Sequence, residues 1–158
     1  MALIPKRWQD SATETAQVVL PNDSNPLGYI LGGTVMHMID ITGAIACHRH
    51  TNALALTAGV DSLDFLHPIK VGDIIILKSR VTATFRTSLE VEVEVFSEGT
   101  TTGERKLTSQ AFLTFVALDE HGKPKEVAPL LIETPEDEER RRQAERRRAE
   151  RLARKKAR

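Results

Sequence analysis

The sequence predicts an α+β protein in which one antiparallel sheet wraps around a single long helix. Residues 32–48 carry apolar side chains around most of the helix circumference, which indicates a helix buried on most sides. Four long strand patterns follow this helix and are joined by tight connections, which favours antiparallel pairing. Because one helix cannot cover both faces of such a sheet, we expect some apolar surface to remain open for a subunit partner.

Each element has its own local signal. A short strand is predicted over residues 15–20, ended by the Pro-Asn-Asp turn at 21–23. Gly32-Gly33-Thr34 then opens the helix. The later strands are predicted over residues 54–65, 74–85, 89–96 and 106–118. Valine and glutamate alternate strictly within 89–96, so we expect one buried face and one solvated glutamate face.

The charge distribution divides the chain into an acidic body and a basic tail. Residues 1–139 carry 11 Lys and Arg against 20 Asp and Glu, a formal charge of −9, whereas residues 140–158 carry 11 against 2, a charge of +9. We predict a single domain over 1–133 and a charged Arg-rich segment over 134–158 that is either a solvated helix or a disordered extension. The tail could contact the acidic body, a phosphate-bearing ligand or nothing. Nucleic acid is not an expected partner, since no aromatic residue is interleaved with the basic ones.

Several features favour a cytoplasmic location. No apolar stretch reaches 18 residues, so no membrane span is expected, and residues 1–10 lack the apolar core of a signal peptide. The single cysteine, Cys47, excludes an internal disulfide and suits a reducing compartment.

Asp40 is the first candidate for chemistry. It lies in the middle of the apolar helix, where burying a carboxylate is costly unless a partner satisfies it. Two interpretations have equal weight: a general base or nucleophile in a cleft, or a core acid held by a backbone or hydroxyl donor.

The start of the helix is the second candidate. Gly32 and Gly33 permit close approach to the backbone, and the free N–H groups of a helix start can hold a developing oxyanion. Asn25 lies in a Pro/Gly loop, where asparagine most often only shapes a turn. No Gly-Lys-Ser/Thr phosphate loop and no Gly-x-Ser-x-Gly motif is present.

Two further groups have weaker signals. Cys47, His48 and His50 match no standard zinc spacing, so we expect a core cysteine, histidines at the helix exit and no metal. Arg86-Thr87-Ser88 lies between two strands and is either a polar hairpin tip or a contact for an anion or amide.

A series of short motifs runs along the chain in order: Asn25-Pro26-Leu27-Gly28, Gly32-Gly33, Met38-Ile39-Asp40, Thr57-Ala58-Gly59-Val60-Asp61, Phe65, Pro68-Ile69, Gly72-Asp73, Arg86-Thr87-Ser88-Leu89-Glu90-Val91 and Thr114-Phe115-Val116-Ala117-Leu118-Asp119. Over roughly residues 15–130 this series resembles the hotdog-fold acyl-CoA thioesterases, specifically the cytosolic acyl-CoA hydrolase branch. The resemblance implies a five-stranded antiparallel sheet around one long central helix. It also implies homodimers that often assemble as trimers of dimers, with active sites at the dimer interface.

The resemblance also implies roles for the candidate residues. Asp40 would be catalytic, and Asn25 would act from the partner subunit. The backbone N–H of Gly33, with Gly32, would polarise the thioester carbonyl. Arg86, Thr87 and Ser88 would lie near the coenzyme A moiety. Coenzyme A is then part of the substrate, and no separate cofactor or metal is implied.

The predicted activity is hydrolysis of acyl-CoA to a carboxylic acid and coenzyme A. One alternative is a non-catalytic regulatory protein that binds acyl-CoA. Another is a hotdog hydratase, for which His37 is poorly placed relative to Asp40. The chain departs from the family pattern at Phe85, where glycine is common before Arg-Thr-Ser, and in its Arg-rich tail.

Overall fold

The protein consists of one antiparallel sheet and two long helices. The structure is a computed structural model, and it describes residues 3–158. In chain order the elements are β1 (Thr13–Val18), α1 (Gly32–Thr51), β2 (Leu54–Phe65), β3 (Ile74–Thr84), β4 (Ser88–Glu98), β5 (Arg105–Leu118) and α2 (Pro135–Lys156). The predicted five-stranded antiparallel sheet and long central helix are therefore confirmed.

The strand order in the sheet is β1-β3-β4-β5-β2, and every neighbouring pair is antiparallel. β2 therefore lies at one edge of the sheet, where its only neighbouring strand among the described residues is β5. The pairing of β2 with β5 shifts register twice, so that Ala58 and Asp61 have no partner across the ladder. Such bulges bend a strand and re-aim its side chains.

The core lies between α1 and one face of the sheet. Apolar residues at helical spacing on α1, among them Val35, Ile39 and Ala46, are buried against the strands. Gly43 allows the closest approach, because a Cβ at this position would lie 3.2 Å from the ring of Phe115. The strand residues of this core include Ile75, Leu77, Val81, Leu89, Val91, Val93, Val95, Ala111, Leu113, Phe115 and Ala117.

The opposite side of α1 is open in the single chain, in contrast to the predicted burial on most sides. Met36 and Ile41 are each 47% exposed. β2 adds exposed Leu54, Leu56 and Val60 at the sheet edge. The apolar pattern of α1 is thus explained only in part by contacts within the chain, and a large apolar surface remains, as the sequence led us to expect.

The outer face of the sheet is covered in part by α2. The prediction that the glutamate face of β4 is solvated is wrong for Glu90 and Glu92, which are 2% and 4% exposed. Arg147 donates to both carboxylate oxygens of Glu90 at 2.9 and 2.8 Å, and Arg140 donates to Glu92 at 2.8 Å. The basic tail therefore contacts the acidic body.

The sequence of α2 explains its helical form. The Thr134 hydroxyl caps the first turn by accepting from the Asp137 N–H at 3.1 Å, and Pro135 occupies the first helical position. Acidic residues fill the first turn and basic residues the last, which complements the helix dipole. Within residues 3–158, no helix is both long and apolar enough to cross a membrane.

Candidate active site

Asp40 and Thr57 form the centre of the candidate site. Asp40 lies on α1 and is partly exposed, and Thr57 lies on β2. The Thr57 hydroxyl donates to one Asp40 carboxylate oxygen at 2.6 Å. Short hydrogen bonds to a carboxylate are among the strong ones, and they fix its orientation. The carboxylate thus has a hydroxyl donor and also retains access to solvent.

Sequence reasoning missed Thr57 as a member of the site. A usable signal was present, because residues 52–53 form a very short link between α1 and β2. Such a link makes the strand return along the helix, so an early residue of β2 can reach a residue in the middle of α1. Several threonines occur in the strands, and which one reaches Asp40 depends on tertiary packing.

The start of α1 presents free backbone donors. Gly32 and Gly33 are exposed, the helix geometry gives their N–H groups no carbonyl four residues back, and the N-cap residue Leu31 provides no side-chain cap. Gly33 faces open space. Beside Gly32 lies a cavity of about 320 Å³ whose wall includes Phe65 and Leu66. The helix start is thus chemically available to a ligand.

Gly33 and Asp40 cannot act on the same atom from one chain. They are seven residues apart on α1, which corresponds to about 10 Å along the helix axis. A carbonyl held by Gly33 would have to lie about 3–3.5 Å from an attacking group. Within one chain the two features therefore belong to separate places.

Asn25 has a structural role in its own loop. Its side-chain oxygen accepts from the N–H groups of Leu27 at 3.0 Å and Tyr29 at 3.1 Å. This is the turn-forming role that asparagine commonly has. Because the oxygen is used in the loop, the amide NH₂ is the part of the side chain that can donate to another molecule.

The Arg86-Thr87-Ser88 segment forms the turn between β3 and β4. The turn is closed by the Phe85 N–H, which donates to the Ser88 carbonyl at 2.8 Å. Ser88 pairs with Val116 and Val116 with Leu56, so this turn lies level with the Leu56–Thr57 part of β2, two strands or about 10 Å away. Arg86 is exposed and lines a groove of about 480 Å³.

Phe85, the departure from the family pattern, has an ordinary backbone. Among the non-glycine residues of the described range 3–158, a positive φ is found at Asn52, so Phe85 does not need the freedom of glycine. The guanidinium of Arg148 on α2 lies 4.6 Å from the centre of the Phe85 ring. The aromatic side chain at this position therefore contributes to the docking of α2.

The cysteine and histidines at the end of α1 have separate partners. Cys47 is buried, and burial raises the pKa of its thiol to about 11 although a hydrogen bond with Thr51 opposes this. His48 Nδ1 lies 2.8 Å from the Ala53 carbonyl and His50 Nε2 lies 2.8 Å from the Ala128 carbonyl. Both histidines lie in the last turn of α1, as predicted, and His50 is fully buried there. Over residues 3–158 the fold assembles no group of three His, Cys, Asp or Glu side chains suited to a metal ion.

A five-stranded antiparallel sheet wrapped around one long helix defines the hotdog fold, and the Asp40 carboxylate lies on that helix. The model of the thioesterase superfamily matches residues 27–104. An uncharacterized acyl-CoA thioester hydrolase of Bacillus subtilis is 44% identical over 119 residues, which cover 75% of this chain and 69% of the relative. The chain belongs to the thioesterase superfamily.

A human cytosolic acyl coenzyme A thioester hydrolase is 37% identical over 133 residues, covering 79% of this chain. The match spans only 35% of the human protein's length. The chain therefore corresponds to about a third of that larger relative.

Solved structures show the same fold over nearly the whole chain. A hexameric acyl-CoA thioesterase in its apo form is 41% identical with a TM-score of 0.93, covering 99% of this chain and 100% of that one. The acyl-CoA hydrolase of Staphylococcus aureus, solved with butyryl coenzyme A and coenzyme A, is 35% identical with a TM-score of 0.88, covering 95% and 92%. Variants of the S. aureus enzyme with alanine in place of an aspartate, an asparagine or a threonine have also been solved.

Proposed function

We propose that the protein is an acyl-CoA thioester hydrolase that releases a carboxylic acid and free coenzyme A. The observation that carries this proposal is the Asp40 carboxylate, oriented by Thr57 at 2.6 Å on a hotdog helix that opens with Gly32-Gly33. The thioesterase family and the names of its relatives support the same reaction class.

Each residue of the candidate site has a separate role in the proposed reaction. Asp40 activates and orients a water molecule, or attacks the thioester carbonyl directly, and Thr57 fixes the carboxylate. The Gly33 N–H, with Gly32, stabilises the negative charge that develops on the carbonyl oxygen. With Asp40 as base, water attacks the carbonyl and its proton passes by way of Asp40 to the leaving thiolate of coenzyme A. With Asp40 as nucleophile, the carboxylate displaces the thiolate to form a mixed anhydride. Water then hydrolyses this anhydride, supplies the OH of the acid product and leaves a proton for the thiolate.

Two copies of the chain build one site. Since Asp40 and Gly33 of one chain lie about 10 Å apart along the helix, the complete site needs the Gly33 and Asn25 of a second copy beside Asp40. The exposed apolar residues of α1 and the unpaired edge of β2 are suited to contact with that copy, and structural relatives are hexameric. We propose a homodimer with shared sites, assembled further as a trimer of dimers.

The replaced residues of the S. aureus enzyme support this assignment. They are an asparagine, an aspartate and a threonine, in that order along the chain, and their sequence spacings equal those of Asn25, Asp40 and Thr57. Residues replaced in a relative solved with butyryl coenzyme A thus have the same types and spacing as three polar residues of the candidate site, which supports the proposal.

Arg86, Thr87 and Ser88 are proposed to contact the coenzyme A portion of the substrate from their turn. The exposed Arg86 guanidinium suits a phosphate, and the two hydroxyls suit an amide or phosphate oxygen. The reaction as proposed uses side chains, backbone donors and water, with no metal or bound cofactor. We place the protein in the cytoplasm, as the name of the human relative and the single reduced cysteine suggest.

The deciding experiment measures release of free thiol from a panel of acyl-CoAs of increasing chain length. Wild-type protein should hydrolyse part of the panel, and Asp40→Ala should lose roughly 10²–10⁴-fold in kcat, the usual contribution of a general base. Asp10→Ala, at an exposed acid in the segment before β1, is the matched control and should keep full activity. Binding of acyl-CoA without turnover by wild type would favour the regulatory alternative instead.

A further inference from the structure

α2 reaches the strand that carries Thr57. Arg151 of α2 donates to the Asp61 carboxylate of β2 at 2.7 Å, and the Asp61 side chain is 5% exposed. The Thr114 hydroxyl of β5 lies 3.4 Å from the same carboxylate oxygen. Asp61 is thus a buried acid on the outer face of the sheet whose charge partner lies on a different element.

Asp61 occupies a special position in β2. The register of β2 against β5 shifts between Thr57 and Gly59 and again between Val60 and Ser62, so the strand leaves the regular ladder directly after Thr57. Backbone hydrogen bonds hold such a bulged segment less firmly than a regular strand. Asp61 is the unpaired residue of the second bulge, so its side chain provides an anchor where the ladder does not.

The other end of this anchor is fixed. α2 is held on the sheet by the bidentate contact of Arg147 with Glu90, and the Arg147 guanidinium also lies 3.6 Å from the centre of the Phe112 ring. Arg140 adds its contact with Glu92. A helix docked at several points is a rigid support, so Arg151 transmits that rigidity to the bulged part of β2.

We propose that Arg151 is a positioning residue for catalysis, acting through Asp61 and β2 on the Thr57 hydroxyl that orients Asp40. The inference rests on the proposed function only in taking Asp40 as the reacting carboxylate. The Arg-rich tail then has a positioning role, because α2 holds the bulged edge strand so that the Thr57 hydroxyl contacts Asp40 in the productive geometry. A shift of about 1 Å in a reacting group can cost 10²-fold in rate.

The test compares Arg151→Ala with Arg140→Ala, a matched loss of an arginine that pairs with a buried acid on β4 instead of β2. We expect Arg151→Ala to lower kcat about tenfold with KM changed less than twofold, and Arg140→Ala to leave kcat within twofold of wild type. Arg151→Lys, which keeps the charge, should recover part of the lost kcat. Equal losses in Arg151→Ala and Arg140→Ala would overturn the proposal, since the effect would then be general destabilisation.

A double-mutant cycle with Thr57→Val separates positioning from a merely structural role. If Arg151 acts through Thr57, Arg151→Ala should change kcat by less than twofold once the Thr57 hydroxyl is absent. Losses that multiply in the double variant would refute the proposed route. Arg151→Gln, which keeps the stem and an amide donor, enters the same cycle if Arg151→Ala does not fold.

Amide hydrogen exchange provides a readout that does not depend on turnover. Exchange in residues 58–62 should be faster in Arg151→Ala than in wild type and unchanged in Arg140→Ala. Unchanged exchange in Arg151→Ala would overturn the anchoring role. A wild-type protein that releases no coenzyme A would disprove the proposed function, whereas the exchange result would still decide whether α2 anchors β2.

Discussion

At the scale of single residues, the Thr57–Asp40 contact has a direct kinetic consequence. The hydroxyl donates to the Asp40 carboxylate at 2.6 Å, so it decides which way the reacting oxygen points. Thr57→Val preserves the shape of the side chain and removes the donor. We expect kcat to fall about 10- to 100-fold with little change in KM.

Steady-state kinetics of thiol release measures this effect. Thr57→Ser is the matched control, because it retains the hydroxyl and should keep most of the activity. Full activity in Thr57→Val would show that Asp40 is oriented by other contacts.

His50 is a buried residue that the proposed reaction does not use. It is 0% exposed, and its Nε2 lies 2.8 Å from the Ala128 carbonyl, while its Nδ1 is buried without a hydrogen-bond partner. Burial lowers the pKa of His50 below its ordinary value of 6.5; the hydrogen bond to Ala128 opposes this, and Lys6 adds to it. The folded protein therefore holds His50 in its neutral form.

Because His50 is buried, the free energy of unfolding depends on pH below about pH 6.5. Above pH 6.5 His50 is neutral in both the folded and the unfolded protein, so it does not make the free energy of unfolding depend on pH. As the pH falls below 6.5 the unfolded chain binds a proton that the folded one does not, so the free energy of unfolding decreases by at most about 1.4 kcal/mol per pH unit. Urea unfolding between pH 5 and 7 should show this loss reduced in His50→Gln and retained in His48→Gln, whose histidine is exposed.

The candidate residues differ in how far the sequence could predict them. Asp40 and Gly33 were named as candidates because their signals are local, a carboxylate on an apolar helix and glycines at its start, and their roles stay predictions. Thr57 was not, since its contact depends on how β2 returns along α1. Asn25 was open between two interpretations, and the structure supports its turn-forming role while leaving its role toward a second copy as a proposal.

At the scale of elements, the docking of α2 depends on buried ion pairs. Glu90 accepts from Arg147 at two oxygens and from the Thr82 hydroxyl at 2.6 Å, and it is 2% exposed. Arg147→Ala would leave this carboxylate buried without its charge partner. We expect a loss of about 3–5 kcal/mol in the free energy of unfolding, as for other broken buried pairs.

Chemical denaturation of Arg147→Ala and of a control variant checks this expectation. Arg142→Ala is the control, because Arg142 pairs with Glu139 on the exposed side of α2 and should cost less than about 1 kcal/mol. Equal effects of Arg147→Ala and Arg142→Ala would mean that α2 is not held by its contact with Glu90.

The strands and α1 were predictable from local sequence, because the strands are apolar or alternating runs bounded by turn residues and α1 is a long apolar segment opened by Gly32-Gly33. The docking of α2 was not predictable in this way. It has little apolar surface, and its contacts are made by arginines with acids that the alternation of β4 had assigned to solvent. The pattern of apolar residues does not reveal that one face of α2 is buried, because this face is buried by ion pairs and by guanidinium groups that lie over aromatic rings.

At the scale of the whole molecule, the proposed sharing of sites between subunits can be tested by mixing. Asp40→Ala and Asn25→Ala should each be nearly inactive alone. In mixed dimers one of the two sites would contain both damaged residues and the other neither, so activity should recover to as much as about a quarter of the wild-type value with random exchange.

The measurement is thiol release after subunit exchange, with exchange itself followed by native mass spectrometry of tagged copies. Absence of recovery in a sample whose subunits have demonstrably mixed would contradict shared sites. Mixing each variant with itself provides the baseline.

The arrangement of acids and arginines also has a consequence during synthesis. A chain is made from its N-terminus, so Asp61, Glu90 and Glu92 emerge before the arginines of α2 that neutralise them. Until α2 is made, these carboxylates keep one face of the unfinished sheet hydrated and negatively charged, which opposes association between nascent chains. Because α2 is synthesised last, its arginines neutralise these carboxylates only after every strand of the sheet has been made.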